Sequence, residues 1–214
     1  VLLRLLHALV PAADGDGAVR VVARLPELLG VLGVVGLVWG HAMALVQIGL
    51  RRMVGWLGVG QAGFFTLALV EARGAGGEAL FFALAAAGIA VAGVLGTLAS
   101  LSHHERACEN VGDLAGMAQQ SPIRAVFFAL FLLSLAGFPG TMGFVARLRI
   151  LSALDQGGHR GLLLAGLAAT VLALIAAGRP LLATLRPPEL GRPTSRALSH
   201  EQLVLALCGA CILY

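Results

Sequence analysis

Residues 125–146 read AVFFALFLLSLAGFPGTMGFVA, 22 residues without a charge, interrupted by Gly137-Phe138-Pro139-Gly140 and followed at once by Arg147. About 20 apolar residues are what an α-helix needs to cross the hydrocarbon core of a bilayer. A Gly/Pro break inside such a run frees backbone groups that lipid leaves unsatisfied, so the break has to be sheltered by protein or water. Broken membrane helices beside a charge are a recurring device for handling ions. The stretch predicts a discontinuous membrane helix from Ala125 to about Asp155, with Gly137, Pro139 and Gly140 as the break. It points to transport rather than to soluble chemistry.

The rest of the chain agrees. Its 214 residues are 58% hydrophobic and 12% charged, with a mean hydropathy of +0.91, where a soluble domain carries about 25% charged residues. The predicted fold is all-α, a polytopic transmembrane helix bundle in one domain over residues 1–214. With 29 glycines and 6% aromatics, its helices are expected to pack closely through small residues. All 15 basic residues are arginine. In a membrane protein such charge belongs to the cytoplasmic loops. No basic patch is interleaved with aromatics, so the expected surroundings are the lipid bilayer and no nucleic acid.

Five full spans and two partial ones are expected. Val1 to Val10 reads as the second half of a span and Pro11 to Glu27 as a polar loop. Spans follow at Leu28–Leu50 and Met53–Val70, joined by a tight Arg51-Arg52 turn, and at Ala79–Leu101. Ser102–Arg124 is a long polar connection in which Asp113–Gln120 suits a short interfacial helix. The broken span comes next, then Gly161–Gly178, a Pro-rich loop from Arg179 to Glu201, and a last span opening at Leu203. Both ends read as cut, as in a fragment of a longer protein. Counting arginines places Arg51, Arg52, Arg106, Arg124, Arg179, Arg186, Arg192 and Arg196 on one side, which is therefore expected to be cytoplasmic.

Several local motifs carry less than they suggest. Gly58-Val59-Gly60-Gln61-Ala62-Gly63 matches GxGxxG, but a dinucleotide site needs a strand before it and a helix opening at the glycines. In mid-span the pattern reads as a thin helix face for close packing. Asp14-Gly15-Asp16-Gly17 lacks the remaining ligands of a calcium loop. His103, His104, Glu105 and Cys108 have no second ligand pair in reach. Cys208 and Cys211 have CxxC spacing in an apolar run, where a redox or zinc pair is out of place. No metal site, catalytic constellation or cofactor site is expected.

What remains is a short set of polar residues inside spans. His41 lies deep in its helix, where a titratable group faces either the protein interior or a wet path, and imidazole exchanges protons near physiological pH. A neutral imidazole satisfied by a backbone carbonyl fits equally. Gln61 can hold water or join helices. His7 is similar but sits in a partial span. Arg147 does not release its proton, so it either sets the field along a path or snorkels to the interface as an anchor. The proton-path candidates are Arg147, His41, His7 and Gln61.

Two stretches resemble the antiporter-like membrane subunits of proton-translocating NADH–quinone oxidoreductase (complex I), subunit N most of all. The first is Ala44-Leu45-Val46-Gln47-Ile48-Gly49-Leu50-Arg51-Arg52-Met53-Val54-Gly55-Trp56, continuing to Gln61-Ala62-Gly63. The second is Ser121-Pro122, then Phe131 to Phe144 through the break. The resemblance implies the C-terminal half of a subunit of about 14 helices. It implies proton movement coupled to quinone reduction, other membrane subunits as partners, and the bacterial plasma membrane. NADH, quinone, flavin and iron–sulfur clusters would lie on partner subunits. By the same resemblance Arg147 stands where the family has a central lysine, and His41 where it often has Asn. Leu57 and Gly58 replace paired serines, Ala90 an Asn and Ala86 a Tyr. A related cation/proton antiporter or membrane-hydrogenase subunit shares these motifs, and a non-conducting structural membrane subunit would keep the same scaffold.

Overall fold

In the computed structural model the uncharged stretch folds as two helices, α5 (Pro122–Ala136) and α6 (Met142–Gln156), with the break between them. The structure describes residues 16–72, 74–101, 109–187, 209–210 and 212. His7, the His103-His104-Glu105-Cys108 group, Cys208, Cys211, the first partial span and most of the last lie outside these residues.

The helices before the broken one are α1 (Asp16–Val46), α2 (Leu50–Val70) and α3 (Ala75–Leu101). A 3-10 turn (Val111–Leu114) and the short α4 (Met117–Gln120) lead into α5, and α7 (Arg160–Leu185) follows α6. No strand occurs among the described residues. Four of these helices, over Arg24–Val46, Leu50–Val70, Ala75–Leu101 and Arg160–Leu185, are long and apolar enough to cross a membrane. Together with the broken α5–α6 pair they account for the five full spans. Leu28, Val31, Leu32, Val35, Val38 and Trp39 of α1 are exposed. An apolar face of that extent belongs in lipid, not water.

Three boundaries differ from the sequence reading. First, α1 begins at Asp16 and runs through Pro26, where a loop to Glu27 was expected. Ala18, Ala23, Leu25 and the arginines between them are good helix formers, and one proline need not end a membrane helix. Second, α1 stops at Val46, so the turn is Gln47-Ile48-Gly49, and Arg51 and Arg52 sit in the first turn of α2. The turn is tied to the later connection by Leu50 N donating to Glu109 O (2.8 Å) and Val111 N to Ile48 O (2.9 Å). Third, Arg179 is not in a loop. It lies in α7, which continues past Pro180 to Leu185, and its guanidinium donates to the carbonyls of Leu45 and Gln47. Those are the orphan carbonyls at the C-terminus of α1, where a cation also suits the helix dipole.

Helices α1 and α2 meet through glycine. A Cβ on Gly63 would lie 2.6 Å from Leu37 N, and one on Gly36 only 3.5 Å from Gly63 Cα. Gly40 faces the backbone of Gly60. Thus Gly60 and Gly63 of the GxGxxG match are packing residues, whereas Gly58 has nothing near it. Two apolar clusters fill the bundle. One gathers Leu50, Met53, Leu57, Val94, Phe128 and Phe131. The other gathers Leu37, Phe64, Leu67, Ala83, Ile150 and Leu154. The helix break lies between them.

Candidate functional site

Helix α5 ends because Gly137 adopts φ +79°, a left-handed conformation that glycine takes without strain. Gly137 N donates to Ser134 O (3.1 Å) and Phe138 N to Leu133 O (2.9 Å), the two bonds of a Schellman turn. A helix leaves its last four carbonyls without intrahelical partners. The turn satisfies those of Leu133 and Ser134, and that of Leu135 is left for other donors. Gln61 Nε2 on α2 donates to it, and so does Arg147 Nη2 on α6, at 2.7 Å.

Helix α6 starts with equal definition. Thr141 is its N-cap, with Phe144 N donating to Thr141 Oγ1 (3.4 Å) and the Thr141 hydroxyl donating to Phe138 O (2.7 Å). Gly143 N donates to Ser134 Oγ (3.2 Å). A side chain at Gly143 would run into the Ser134 carbonyl, so the two half-helices pass each other where only glycine fits. Helical side chains lean toward their own N-terminus. That is how Arg147, in the second turn of α6, reaches back across the break to α5.

Arg147 is buried, with 3% exposure. Its guanidinium stacks over the Phe64 ring at 4.7 Å and lies against Gly137, where a Cβ would come within 2.6 Å of Arg147 Cδ. Nε and Nη1 have no hydrogen-bond partner. Beside them is a cavity of about 10 Å³ whose lining includes Gln61, Phe64, Ser134, Leu135 and Gly143, room for a single water. Of the two sequence readings of Arg147, the geometry matches a guanidinium held at the break rather than one that snorkels to an interface. Arg149 instead stacks on Phe82 at 4.5 Å and is exposed.

His41 is fully buried on α1. Its Nδ1 donates to Leu37 O (2.7 Å), which leaves Nε2 as the acceptor nitrogen of the neutral ring, and Nε2 has no partner. The ring lies against Gly60, where any Cβ would collide with it, and edge-on to Phe64 at 6.4 Å. Phe64 therefore touches both His41 and Arg147. The structure brings together His41, Gln61 and Arg147 around Phe64 and the break at Gly137–Gly140. Ser134, Phe64 and the Leu135 carbonyl complete the arrangement without having been singled out in the sequence. The spacing of Phe64 three residues after Gln61 is the one signal that could have found it, because it places both on one helix face. A backbone acceptor has no sequence signature. Among the described residues no group of three or more His, Cys, Asp or Glu is placed to hold a metal.

Known proteins share this arrangement of helices. The family model described as NADH:quinone oxidoreductase/Mrp antiporter, TM matches residues 19–173. The NADH-quinone oxidoreductase subunit N of Syntrophotalea carbinolica is 34% identical over 200 residues, covering 93% of this chain and 43% of that protein. That of Halorhodospira halophila is 31% identical over 159 residues, 74% of this chain and 32% of its own length. A chain of respiratory complex I from Thermus thermophilus superposes with a TM-score of 0.76 at 24% identity, over 88% of this chain and 42% of that one. A chain of the Mrp complex from Dietzia sp. gives 0.72 at 23% identity, over 84% and 33%. At those identities the structural likeness shows the fold. The chain spans less than half the length of each of these relatives.

Proposed function

Because this chain belongs to the NADH:quinone oxidoreductase/Mrp antiporter family of transmembrane proteins, we propose that it is part of a membrane-arm subunit of a proton-translocating NADH–quinone oxidoreductase. It would carry protons across a bacterial plasma membrane in step with quinone reduction. NADH, flavin, iron–sulfur clusters and quinone would be bound by partner subunits, and neighbouring membrane subunits would flank this one. The Arg51-Arg52 end would face the cytoplasm. The naming of the sequence relatives as subunit N favours this reading over a free-standing cation/proton antiporter.

One observation carries it: a guanidinium with no carboxylate partner, buried in mid-bundle, is shared between a broken helix and a water-sized cavity. Arg147 keeps its proton, so its part is to fix a positive charge at the break and to orient the cavity water through Nε or Nη1. Gln61 holds the other side of the same carbonyl. The proton itself would move through water and through His41, whose free Nε2 is an acceptor. A shift of charge elsewhere in the complex would change the balance between the Arg147–Leu135 bond and a wetter break. A buried ionic contact of this kind is sensitive to any charge change in low dielectric.

The test is the full-length subunit in its complex, reconstituted in proteoliposomes, with protons moved per NADH oxidised as the readout. Arg147→Ala is expected to lower that ratio and Arg149→Ala to leave it near the parent value. Equal, negligible effects would assign both arginines to anchoring and leave a structural membrane subunit.

A further inference from the structure

A second polar pair, outside the break, occupies the opposite end of the bundle from Arg51 and Arg52. Glu71 closes α2, and His159 is the N-cap of α7. His159 Nε2 lies 3.1 Å from Glu71 Oε1, with the two side chains 40% and 27% exposed. The backbone is shaped for this carboxylate. Gly157, which ends α6, abuts the Glu71 side chain so closely that a Cβ there would collide with Oε1 and sit 3.1 Å from Cγ. Three helix ends therefore converge on one carboxylate and one imidazole.

The pair opens outward and stands at the end of the helix that carries Arg147. Outward, His159 and Glu27 line an open depression of about 400 Å³ between α1 and the start of α7. Inward, α6 runs from the Arg147 site directly to Gly157. Arg147 and Asp155 are eight residues apart, about 12 Å along the helix axis, a distance that a proton would cross only on water entering between the helices. The side chains between, Ile150, Leu151 and Leu154, are apolar and buried. Among the described residues, the other charged groups on the elements that meet at this end are Arg24 and Glu27 of α1, Glu78 of α3, Asp155 of α6 and Arg160 of α7.

We propose that Glu71 and His159 form the proton mouth of this subunit on the side opposite Arg51-Arg52, passing protons between the interior of the bundle and bulk water. The proposal rests on the transport reading above. The step is balanced within the pair. A proton arriving on the Glu71 carboxylate moves across the 3.1 Å contact to His159 Nε2, the resulting imidazolium gives up its Nδ1 proton to water in the depression, and a ring flip or proton exchange with water restores the starting tautomer. Only O–H and N–H bonds form and break, and both groups return to their starting charge. Imidazole suits this task because one ring nitrogen can take up a proton while the other gives one up. A mere anchor would need only opposite charges, and half-exposed ion pairs of that kind contribute little.

The experiment again uses the full-length subunit in the reconstituted complex, with NADH oxidation as the check on assembly and protons per NADH as the readout. His159→Gln and Glu71→Gln are each expected to lose the share of pumping that Arg147→Ala loses. His159→Lys keeps a cation beside Glu71 but not the exchange, so it is expected to lose that share too. Free imidazole is expected to restore pumping to His159→Ala, because an exposed vacancy admits a diffusing proton carrier. Full pumping by His159→Lys, or by both Gln variants while Arg147→Ala fails, would make the pair an anchor and overturn the proposal. Full pumping by Arg147→Ala as well would remove the transport reading itself.

Discussion

Two glycines at the break share a left-handed backbone and differ in what surrounds them, which makes them a matched test of the site. Gly137 has φ +79° and Gly140 has φ +92°. Placing alanine in a left-handed conformation costs about 1–2 kcal/mol, and both positions incur that cost. At Gly140 a Cβ meets nothing within 4 Å. At Gly137 it comes within 2.6 Å of Arg147 Cδ, 2.8 Å of Nε and 3.0 Å of Cζ. The guanidinium must then leave its place, and the bond from Nη2 to Leu135 O goes with it. Hydrogen bonds to charged groups contribute about 1.5–3 kcal/mol. Gly137→Ala is therefore expected to destabilise by roughly 2.5–5 kcal/mol and Gly140→Ala by about 1–2 kcal/mol. The assay pairs thermal unfolding of the purified subunit with protons moved per NADH in the reconstituted complex. Gly140→Ala should lower the melting temperature slightly and pump normally. Gly137→Ala should lower it further and lose the proton ratio while NADH oxidation continues. Equal loss of pumping in the two variants would show that the bent backbone, not the seat of Arg147, is what transport requires. Normal pumping by Gly137→Ala would refute the role given to Arg147.

Further outcomes follow from other contacts. Gly60→Ala places a methyl into the His41 ring and should either displace His41 or part α1 from α2, read as a lower melting temperature. Gly58→Ala, with nothing within 4 Å, should be neutral or gain up to about 1 kcal/mol from helix propensity. Gln61→Leu removes one of the two donors to Leu135 O and should reduce protons per NADH with little effect on folding, since Leu is close in size and only 8% of this residue is exposed. Arg179→Met leaves the carbonyls of Leu45 and Gln47 without their donor and should destabilise by about 1.5–3 kcal/mol, measured by thermal unfolding. Arg179→Lys should recover only part of this, because an ammonium lacks the planar fork of a guanidinium.

Features encoded in local composition could be read from the sequence. The break at Gly137–Gly140 was legible because glycine and proline punctuate an otherwise uncharged run, and lipid tolerates no careless interruption. The spans were legible because apolar length is nearly sufficient in a bilayer. Errors arose where a strong local signal lost to its neighbours. Pro26 and Pro180 read as loop residues, yet both lie within helices. Arg51-Arg52 read as a turn, yet Gln47-Ile48-Gly49 is the turn and the arginines open α2. Arg179 read as a loop charge, yet it caps α1 from a helix distant in sequence. The candidate site was half legible. Arg147, Gln61 and His41 stood out as polar groups in apolar spans, but the atom that joins the first two is the carbonyl of Leu135. Glu71 and His159 each looked like ordinary loop residues. The sidedness of the spans alone would have placed the loops containing them on the same face.

The choice of arginine at the break has a consequence for how such a site works. A lysine there could hold or release a proton as the field around it changed. Arg147 stays charged, so the positive end of the junction is permanent and only its partners can vary. In this structure those partners are the exposed carbonyl end of α5, the π-face of Phe64 and the cavity beside Gln61. None of them is a carboxylate, so the charge is balanced by dipoles rather than by an ion. The dipole of an entering water can take the place of these dipoles, whereas a carboxylate would hold the cation in a charge pair. A fixed cation seated on exchangeable dipoles is thus suited to switching the hydration of the break, and under the proposed function the proton would be carried by the unpartnered Nε2 of His41 and by the water that enters.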